Sequence, residues 1–375
     1  MISRRAFMQT VCLSALALQA GAREIASGVA GRREALWYQK LDDGKGTVQC
    51  ALCPRRCTIP AGGSGFCRAR KNFAGTLTSL GYALPCSINV DPVEKKPLFN
   101  FHPSTRSLSL ACAGCNLRCK FCQNWEISQL SPLESRNYLT PVAQVPTMAI
   151  ARGCKSVAFT YTEPVTFFEY MLDVARAARG KGVLAITHSN GYINPEPQAE
   201  LCRHLDAANI DLKGFSEKFY DTVCEGALAP VLTALKHYRQ RGVWLEVTNL
   251  VIPGYNDSPA MIAEMCGWIR QNLGEQTPVH FSRFFPLYKM SAVPPTPLKT
   301  LEMARETALQ AGLHYPYIGN VPGHPGNSTY CPQCRKVVIQ RSGFSVLETH
   351  LQGDRCSFCS RKIAGAGFMT GGTRI

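Results

Sequence analysis

Residues 112–122 read Cys-Ala-Gly-Cys-Asn-Leu-Arg-Cys-Lys-Phe-Cys, which places four thiols inside one short segment. Cys115, Cys119 and Cys122 have the spacing C-x3-C-x2-C. Three thiolates at this spacing can hold three corners of a cubane [4Fe–4S] cluster and leave the fourth iron open. An open iron can bind the amino and carboxylate groups of S-adenosylmethionine (SAM), whose reductive cleavage yields a 5′-deoxyadenosyl radical. We therefore predict a cluster on these three cysteines.

Cys112 gives this segment a fourth thiol and opens two other interpretations. The full spacing C-x2-C-x3-C-x2-C would also suit a closed electron-transfer cluster or a structural zinc site. The sequence that follows the segment favours the three-thiolate interpretation, because it predicts the β/α context and the polar motifs described next.

The sequence after the cysteine segment alternates short apolar runs with stretches of helical periodicity. The apolar runs predict strands at residues 108–110, 156–160, 183–187, 208–212, 243–251 and 279–284. The periodic stretches predict helices at residues 167–179, 228–241, 260–273 and 298–311. Gly180, Gly242, Gly274 and Gly312 follow these helices, where a left-handed residue often ends a helix. The alternation predicts an α/β fold with a parallel sheet covered by helices and closed, or partly closed, into a barrel.

Polar motifs follow the predicted strands, at the edge where such folds carry their chemistry. They are residues 161–164 (Tyr-Thr-Glu-Pro), 188–191 (His-Ser-Asn-Gly) and 211–213 (Asp-Leu-Lys). Glu163 can hold the SAM ammonium group by a charge-assisted hydrogen bond. The alternative is a surface glutamate stabilised by the N-terminus of the following helix. Convergence of several motifs on one edge favours the ligand role.

Two further groups of four cysteines flank the predicted barrel. Cys50, Cys53, Cys57 and Cys67 can hold zinc or a second cluster, whereas a disulfide is the alternative if the chain is exported. Cys331, Cys334, Cys356 and Cys359 form two C-x2-C knuckles and predict a zinc-ribbon or rubredoxin-like tail. The remaining cysteines, at positions 12, 86, 154, 202, 224 and 266, are isolated and predicted to be packed residues.

Composition and charge restrict the functional class. The chain has 375 residues, 45% of them hydrophobic, and a formal net charge of +15. The hydrophobic share is typical of globular proteins and argues against wholesale disorder. Lysine and arginine are scattered rather than clustered with aromatic residues, which favours a basic enzyme with anionic substrates over a nucleic-acid-binding protein.

The N-terminus resembles an export signal. Residues 3–8 (Ser-Arg-Arg-Ala-Phe-Met) match the twin-arginine pattern, a modest apolar run follows, and Ala20 and Ala22 suit a signal peptidase. A frayed helix is the alternative. The apolar run is too short to span a bilayer, so we predict a leader over residues 1–22 and no transmembrane span. A leader of this type predicts export to the periplasm.

The motifs closely resemble those of the radical SAM enzyme of the AmmeMemoRadiSam system, a family related to pyruvate formate-lyase activating enzymes. The resemblance extends from Cys50 to Cys359. It is carried by residues 91–99, 114–125, 161–164, 189–192, 211–214, 250–254, 284–286 and 319–321.

This resemblance implies a partial (β/α)6 barrel, one [4Fe–4S] cluster and bound SAM. It also implies that Glu163 contacts the SAM amino group and that Asn190 and Lys213 lie near SAM; Phe121 is predicted to contact the cofactor too. His188 stands where activating enzymes often carry aspartate, which puts a cation site near SAM in doubt. The family is otherwise cytoplasmic, as SAM and low-potential reductants are, and this conflicts with the predicted export.

The sequence thus predicts four regions: a leader at 1–22, a linker with a cysteine-rich segment at 23–100, a radical SAM barrel at 101–320 and a metal-binding tail at 321–375. The predicted function is hydrogen abstraction from a protein or small molecule, with electrons from a low-potential donor. An RNA-modifying radical SAM enzyme and a non-catalytic iron–sulfur electron carrier are the alternatives.

Overall fold

The computed structural model describes residues 31–368, and the predicted leader at residues 1–22 lies outside them. Two small antiparallel sheets form the N-terminal part. Their strands are β1 (Arg33–Glu34), β2 (Tyr38–Lys40), β3 (Val48–Cys50), β4 (Thr58–Ile59), β5 (Arg70–Phe73) and β6 (Thr76–Ser79). The sheet orders are β1-β6-β5 and β2-β3-β4. The tight loop between β3 and β4 carries Cys53, and Cys50 and Cys57 pair through their backbones at 2.9 Å.

The central sheet has eight strands in sequential order from β7 to β14. They are β7 (Ser87–Pro92), β8 (Arg106–Ala111), β9 (Ser156–Phe159), β10 (Leu184–Ser189), β11 (Ala207–Asp211), β12 (Trp244–Val251), β13 (Val279–Arg283) and β14 (Pro316–Gly319). Strands β8 to β14 are parallel, and β7 pairs antiparallel with β8. The six predicted strands are confirmed. The pairing is that of a mixed open sheet, so the closure of a partial (β/α)6 barrel stays a prediction.

Helices connect the parallel strands. They are α1 (Trp125–Ser128), α2 (Gln144–Ala151), α3 (Phe168–Arg179), α4 (Pro195–Cys202), α5 (Glu217–Phe219), α6 (Leu228–Gln240), α7 (Pro259–Leu273) and α8 (Leu298–Gln310). The four predicted helices correspond to α3, α6, α7 and α8. Within residues 31–368, the structure contains no helix with the length and hydropathy needed to cross a membrane.

The core lies between the sheet and the helices. The strands are buried on both faces, as in β9, where every residue is buried, because a sheet covered by helices exposes neither face to water. Amphipathic helices supply the outer layer: Phe168, Leu172 and Ala175 of α3 are all buried in the main hydrophobic cluster. This packing fixes the carboxyl ends of β8 to β13 at one edge.

The C-terminal tail packs against the part of the chain that carries the central sheet. Its strands are β15 (Thr329–Tyr330), β16 (Val337–Ser342), β17 (Ser345–Thr349), β18 (Leu351–Gln352) and β19 (Arg355–Cys356). Phe99 and Tyr317 share a hydrophobic cluster with tail residues such as Val338. Residue Ala366 forms a parallel bridge with Phe101. The tail and the residues just before β8 therefore form one packed unit.

Candidate functional site

A cavity of about 250 Å³ opens at the carboxyl edge of the central sheet. The predicted site residues meet there. Its lining includes Cys115, Cys119, Phe121, Cys122, Glu163, His188, Asn190, Asp211 and Lys213. The cysteines and Phe121 come from the loop after β8, whereas the other residues lie at or just after the ends of β9, β10 and β11. The cavity thus brings together most residues of the three motifs, and Pro164, Gly191 and Leu212 are the ones that do not line it.

The cysteine loop presents three thiols to the cavity from a rigid backbone. The amide N–H of Leu117 points at Cys115 Sγ at 3.4 Å, and the Ser128 hydroxyl lies 3.3 Å from Cys122 Sγ. The amide N–H groups of Arg118 and Lys120 each donate at 2.9 Å to carbonyls of the π-helical turn Tyr220–Cys224. The Leu117 amide and the Ser128 hydroxyl are donors of the kind that stabilise thiolate sulfur, so the loop fits a bound cluster.

Burial raises the pKa of the Cys115 and Cys122 thiols, and the Glu163 carboxylate adds to the shift of Cys115. The pKa of Cys119 is also raised, first by a hydrogen bond with the Cys224 thiol and then by burial. An empty loop therefore keeps its thiols protonated, and a bound cationic group would displace those protons. Within residues 31–368, no three of these or other ligand atoms come together as closely as those of the C-terminal cysteines described below. The wider spacing suits a cluster better than one ion.

Cys112 is not a fourth cavity residue. Its side chain is fully buried, and its thiol points at the Gly81 carbonyl at 3.2 Å. It is absent from the lining of the cavity that holds the other three thiols. The two interpretations that used all four cysteines of the segment lose their geometric support, and Cys112 packs in the core.

Glu163 lies at the N-terminus of the 3-10 turn Pro164–Phe167 with its carboxylate buried beside the cavity. Oε1 accepts hydrogen bonds from Ser189 Oγ at 2.7 Å and from the Val165 amide at 3.0 Å, and Oε2 accepts one from the Asn190 amide at 2.8 Å. Burial raises the pKa of Glu163, although these three donors and Lys213 oppose the shift. The capping role predicted as the alternative is present, and Oε2 keeps capacity for another donor.

Asn190 connects the carboxylate to the cysteine loop. Its backbone donates to Glu163, while its side-chain amide donates to Asn116 Oδ1 at 2.8 Å and lies 3.8 Å from Cys115 Sγ. Asn116 in turn donates to the Tyr192 carbonyl at 2.8 Å. The loop after β10 is thereby held against the cysteine loop.

Asp211, Lys213 and His188 form a connected group in the cavity lining. Asp211 accepts from Lys213 Nζ at 2.8 Å and lies 3.0 Å from His188 Nε2. Although burial alone would raise the pKa of Asp211, Lys213 and His188 hold it well below its usual range. Burial opposes the charge of Lys213, but Asp211 and the thiols raise its pKa well above the ordinary value. Lys213 Nζ also lies 5.7 Å from the Phe121 ring. The pair therefore stays ionised at the cavity wall.

Sequence reasoning did not assign a role to Asp91, which anchors the strand end that leads to Glu163. Asp91 accepts from Lys96 Nζ at 2.6 Å, from Ser109 Oγ at 2.7 Å and from the Tyr161 hydroxyl. Tyr161 has a left-handed backbone at φ 67°, which costs free energy in a non-glycine residue. The Asp91 network holds this turn, and the motif at residues 91–99 was the available signal.

The C-terminal cysteines form a compact tetrad. The sulfurs of Cys331, Cys334, Cys356 and Cys359 all lie within 4.8 Å of one another. Cys331 is 3.5 Å from Cys359, and Cys334 is 3.7 Å from Cys356. A tetrahedral ion with metal–sulfur bonds of about 2.3 Å spaces its thiolates about 3.8 Å apart. The predicted four-thiolate metal site is therefore supported by geometry, without a choice between zinc and iron.

The N-terminal cysteines surround a small cavity. Cys50, Cys53, Cys57 and Cys67 all line it, together with Arg70 and Asn116. Burial raises the pKa of Cys53 to about 12 and that of Cys67 to about 11, and their neighbouring thiols add to both shifts. In the described residues all four thiols are free, so the disulfide alternative is not observed.

Known proteins resemble this chain at the level of sequence. Residues 110–266 match the model of the radical SAM superfamily. An uncharacterized protein of Methanocaldococcus jannaschii, MJ0808, is 47% identical over 334 residues, which cover 88% of this chain and 98% of that protein. The GTP 3′,8-cyclase of Listeria monocytogenes is 20% identical over 257 residues, covering 61% of this chain and 74% of the cyclase.

Two solved structures align with part of this chain. A domain of a pyruvate-formate lyase-activating enzyme from Bacteroides vulgatus matches with 16% identity and a TM-score of 0.40, covering 44% of this chain and 99% of that domain. SuiB of Streptococcus suis bound to S-adenosylmethionine matches with 14% identity and a TM-score of 0.46, covering 61% of this chain and 53% of SuiB. Together with the motif and its cavity, the sequence match shows that the chain belongs to the radical SAM superfamily.

Proposed function

We propose that this chain cleaves SAM reductively and uses the resulting 5′-deoxyadenosyl radical to abstract hydrogen from a protein or small-molecule substrate. One observation carries the proposal: Cys115, Cys119 and Cys122 share a single cavity with Glu163 and Lys213. The cysteines would hold a [4Fe–4S] cluster with an open iron, and this cluster supplies the electron and the binding site for the SAM methionine group.

The other residues of the cavity would orient SAM and keep water out. Glu163 Oε2 is a buried acceptor suited to the SAM ammonium group, because its companion oxygen already receives two donors. Asn190 is fixed on Cys115 and Asn116, so it can hold a ligand without rearranging. Lys213 and Phe121 supply a cation and an apolar ring to the same cavity.

The finer assignment follows the sequence resemblance to the AmmeMemoRadiSam radical SAM family and its relatives, the activating enzymes. We propose activating-enzyme-like hydrogen abstraction and a low-potential protein as electron donor. The substrate of this chain is either a protein or a small molecule.

SAM cleavage tests the proposal directly. Anaerobically reconstituted and reduced protein should convert SAM to 5′-deoxyadenosine and methionine, detected by chromatography. Cys119→Ala should abolish this product, because it removes one of three ligands to the cluster. Cys202→Ala, a buried cysteine of α4 outside the cavity, is the matched control and should keep activity.

Two outcomes would contradict the proposal. If Cys119→Ala cleaves SAM at the wild-type rate, the cluster is bound elsewhere. If wild-type protein contains a reducible cluster but neither binds nor cleaves SAM, the chain is an iron–sulfur electron carrier instead.

A further inference from the structure

We propose that Cys50, Cys53, Cys57 and Cys67 ligate a second [4Fe–4S] cluster, placed directly behind the cluster loop so that it supplies the loop with electrons. The site itself stands on its own geometry, whereas its role as an electron supply rests on the proposed function.

The thiols of this tetrad are arranged differently from those of the C-terminal tetrad. All four sulfurs of the C-terminal tetrad lie within 4.8 Å of one another, as one tetrahedral ion requires. Within residues 31–368, no three sulfurs of the N-terminal tetrad form such a close group. All four nevertheless line one cavity. A cubane has its iron atoms at separate corners, so it holds four thiolates farther apart than a single ion does. The Cys115 loop shows the same wider spacing.

The surroundings of the tetrad suit a negatively charged cluster. The buried guanidinium of Arg70 points Nη1 at Cys50 Sγ at 3.6 Å and forms an ion pair with Glu169. Four thiolates around a cubane carry net negative charge, which a buried cation stabilises. Ile59, Leu52 and Val165 supply apolar walls. Such walls exclude solvent, which controls the reduction potential of a cluster.

Only a thin wall separates the two cysteine sites. Asn116 lines the tetrad cavity, while Cys115, the preceding residue, lines the SAM cavity. The same division occurs along the 3-10 turn, where Glu163 faces the SAM cavity and Val165 faces the tetrad. At Gly114 a Cβ would meet the Cys67 carbonyl at 2.6 Å, so the two cysteine segments touch through their backbones.

The outer side of the tetrad is open to a partner. Cys53, Cys57 and Cys67 are partly exposed, and the neighbouring Arg56 and Arg68 are exposed. A basic rim suits an acidic protein that donates single electrons at low potential. One electron from that donor would reduce the second cluster and then pass to the first, which leaves the second oxidised again. The electron finally enters the C5′–S bond of SAM, which breaks to give methionine and the radical.

Acid-labile sulfide tests the site, because a single ion on four thiolates carries none. Reconstituted wild-type protein should contain about eight sulfides per chain, four for each cubane. The triple variant Cys115→Ser, Cys119→Ser, Cys122→Ser should keep about four, with an electron paramagnetic resonance signal indifferent to SAM. The double variant Cys53→Ser, Cys57→Ser should also keep about four, with a signal that SAM alters. Cys154→Ser is the control for the loss of a thiol.

A triple variant that contains no acid-labile sulfide, or one that binds zinc in the tetrad, would overturn the assignment. The triple variant decides this even if the double variant does not fold. The two proposals can fail separately. If wild-type protein does not cleave SAM but the triple variant retains sulfide, the proposed function is overturned and this site stands.

Proximity has its own measurement. In fully reduced wild-type protein the two paramagnetic clusters should couple, so the resonance spectrum should be broader than the sum of the spectra of the two variants. A spectrum equal to that sum would overturn the electron supply between neighbouring clusters.

Discussion

At the scale of single residues, Glu163 carries the sharpest prediction about SAM. Its carboxylate is buried and accepts two donors on Oε1 and one on Oε2. A glutamine of nearly equal shape can keep the two Oε1 bonds, but it removes the charge and places a donor where Oε2 accepts. Glu163→Gln should weaken SAM binding by about 1.5–3 kcal/mol, the range for a hydrogen bond to a charged group. Calorimetry on reconstituted protein measures this. Glu126→Gln, on an exposed position near the same loop, is the control.

Unchanged affinity in Glu163→Gln, with Glu126→Gln also unchanged, would reduce Glu163 to a helix cap. That role is already visible in its bond to the Val165 amide. The prediction therefore separates ligand binding from capping, which the sequence left as alternatives.

The sequence alone shows that the three proposed cluster cysteines lie close together, but it does not show which distant residues contact them. The three cluster cysteines lie within eight positions of one another, so their convergence needs no tertiary information. The contact between Cys224 and Cys119 joins segments far apart in sequence, and Cys224 was predicted to be an ordinary packed residue. It is indeed fully buried, but its neighbour is a cavity thiol. Likewise, the support of Tyr161 by Asp91 depends on the pairing of β7 with β8.

At the scale of elements, a buried pair joins neighbouring strands at the amino side of the sheet. Glu246 of β12 accepts from the Phe99 and Asn100 amides at 2.9 Å and 2.8 Å and lies 2.7 Å from His280 Nε2 of β13. Burial lowers the pKa of His280 below its ordinary value of 6.5, although Glu246 opposes the shift. Phe99 and Tyr317 pack on the imidazole ring.

This depressed pKa predicts a pH dependence of stability. Below pH 6.5 the unfolded chain binds a proton at His280 more readily than the folded chain, so acidification destabilises the fold. Above pH 6.5 the imidazole is neutral in both states and contributes no slope. His280→Gln, which can still donate to Glu246, should reduce the loss between pH 6.5 and 5.5 by on the order of 1 kcal/mol.

Melting temperatures of anaerobic protein at pH 5.5, 6.5 and 7.5 provide the measurement, and His237→Gln on α6 is the control. An identical acid shift in wild type and His280→Gln would show that His280 contributes nothing to it.

Helix ends show where a local pattern gives the wrong residue. Gly242, Gly274 and Gly312 have positive φ angles, as predicted for residues that end α6, α7 and α8. Gly180 is the wrong prediction: its φ is −61°, in the right-handed region. The chain continues through one more turn, in which the Gly182 amide donates to the Arg179 carbonyl, and Gly182 takes the left-handed conformation at φ 68°. The sequence Gly-Lys-Gly offered both positions.

Strand β7 was not predicted, although its sequence contained a signal. Ile88 and Val90 alternate with polar residues, which is the pattern of a half-buried strand. Its pairing with β8 brings the central sheet to Ser87, ahead of the predicted domain boundary at residue 101. The proline in this segment suits the antiparallel edge position that β7 occupies.

At the scale of the whole molecule, we predict that the four-cysteine tail also stabilises the segment that leads into β8. Arg341 of β16 is buried and donates Nη2 to the Phe99 carbonyl at 2.6 Å and Nη1 to Thr329 at 2.7 Å. Because Phe99 also packs on His280, the tail holds the segment that leads into β8.

Removing the tail metal should therefore speed amide hydrogen exchange in residues 329–363 and 99–102. The expected change is roughly tenfold or more, which corresponds to a loss of about 1.4 kcal/mol of local stability. Cys331→Ser with Cys356→Ser provides the metal-free form, and metal analysis verifies it. Exchange in α3 and α6 is the internal reference and should not change. Acceleration confined to residues 329–363 would contradict the coupling.

The predicted export over residues 1–22 belongs to this scale too. Those residues lie outside the described part of the chain, and the twin-arginine leader stays a prediction from sequence.

The bridge between Ala366 and Phe101 constrains the order in which parts of the chain can fold during synthesis. Asn100 donates to the Ala364 carbonyl at 2.7 Å, and the His102 amide donates to the Ala366 carbonyl at 2.7 Å. These bonds join the segment before β8 to residues far along the chain, with 264 positions between Asn100 and Ala364. A nascent chain can pair β8 to β14 in sequence, but it cannot form these bonds until residues 364–366 have been synthesised. A chain that stops before residue 329 would therefore leave Phe99 and Tyr317 without their tail partners and expose an apolar surface that favours aggregation.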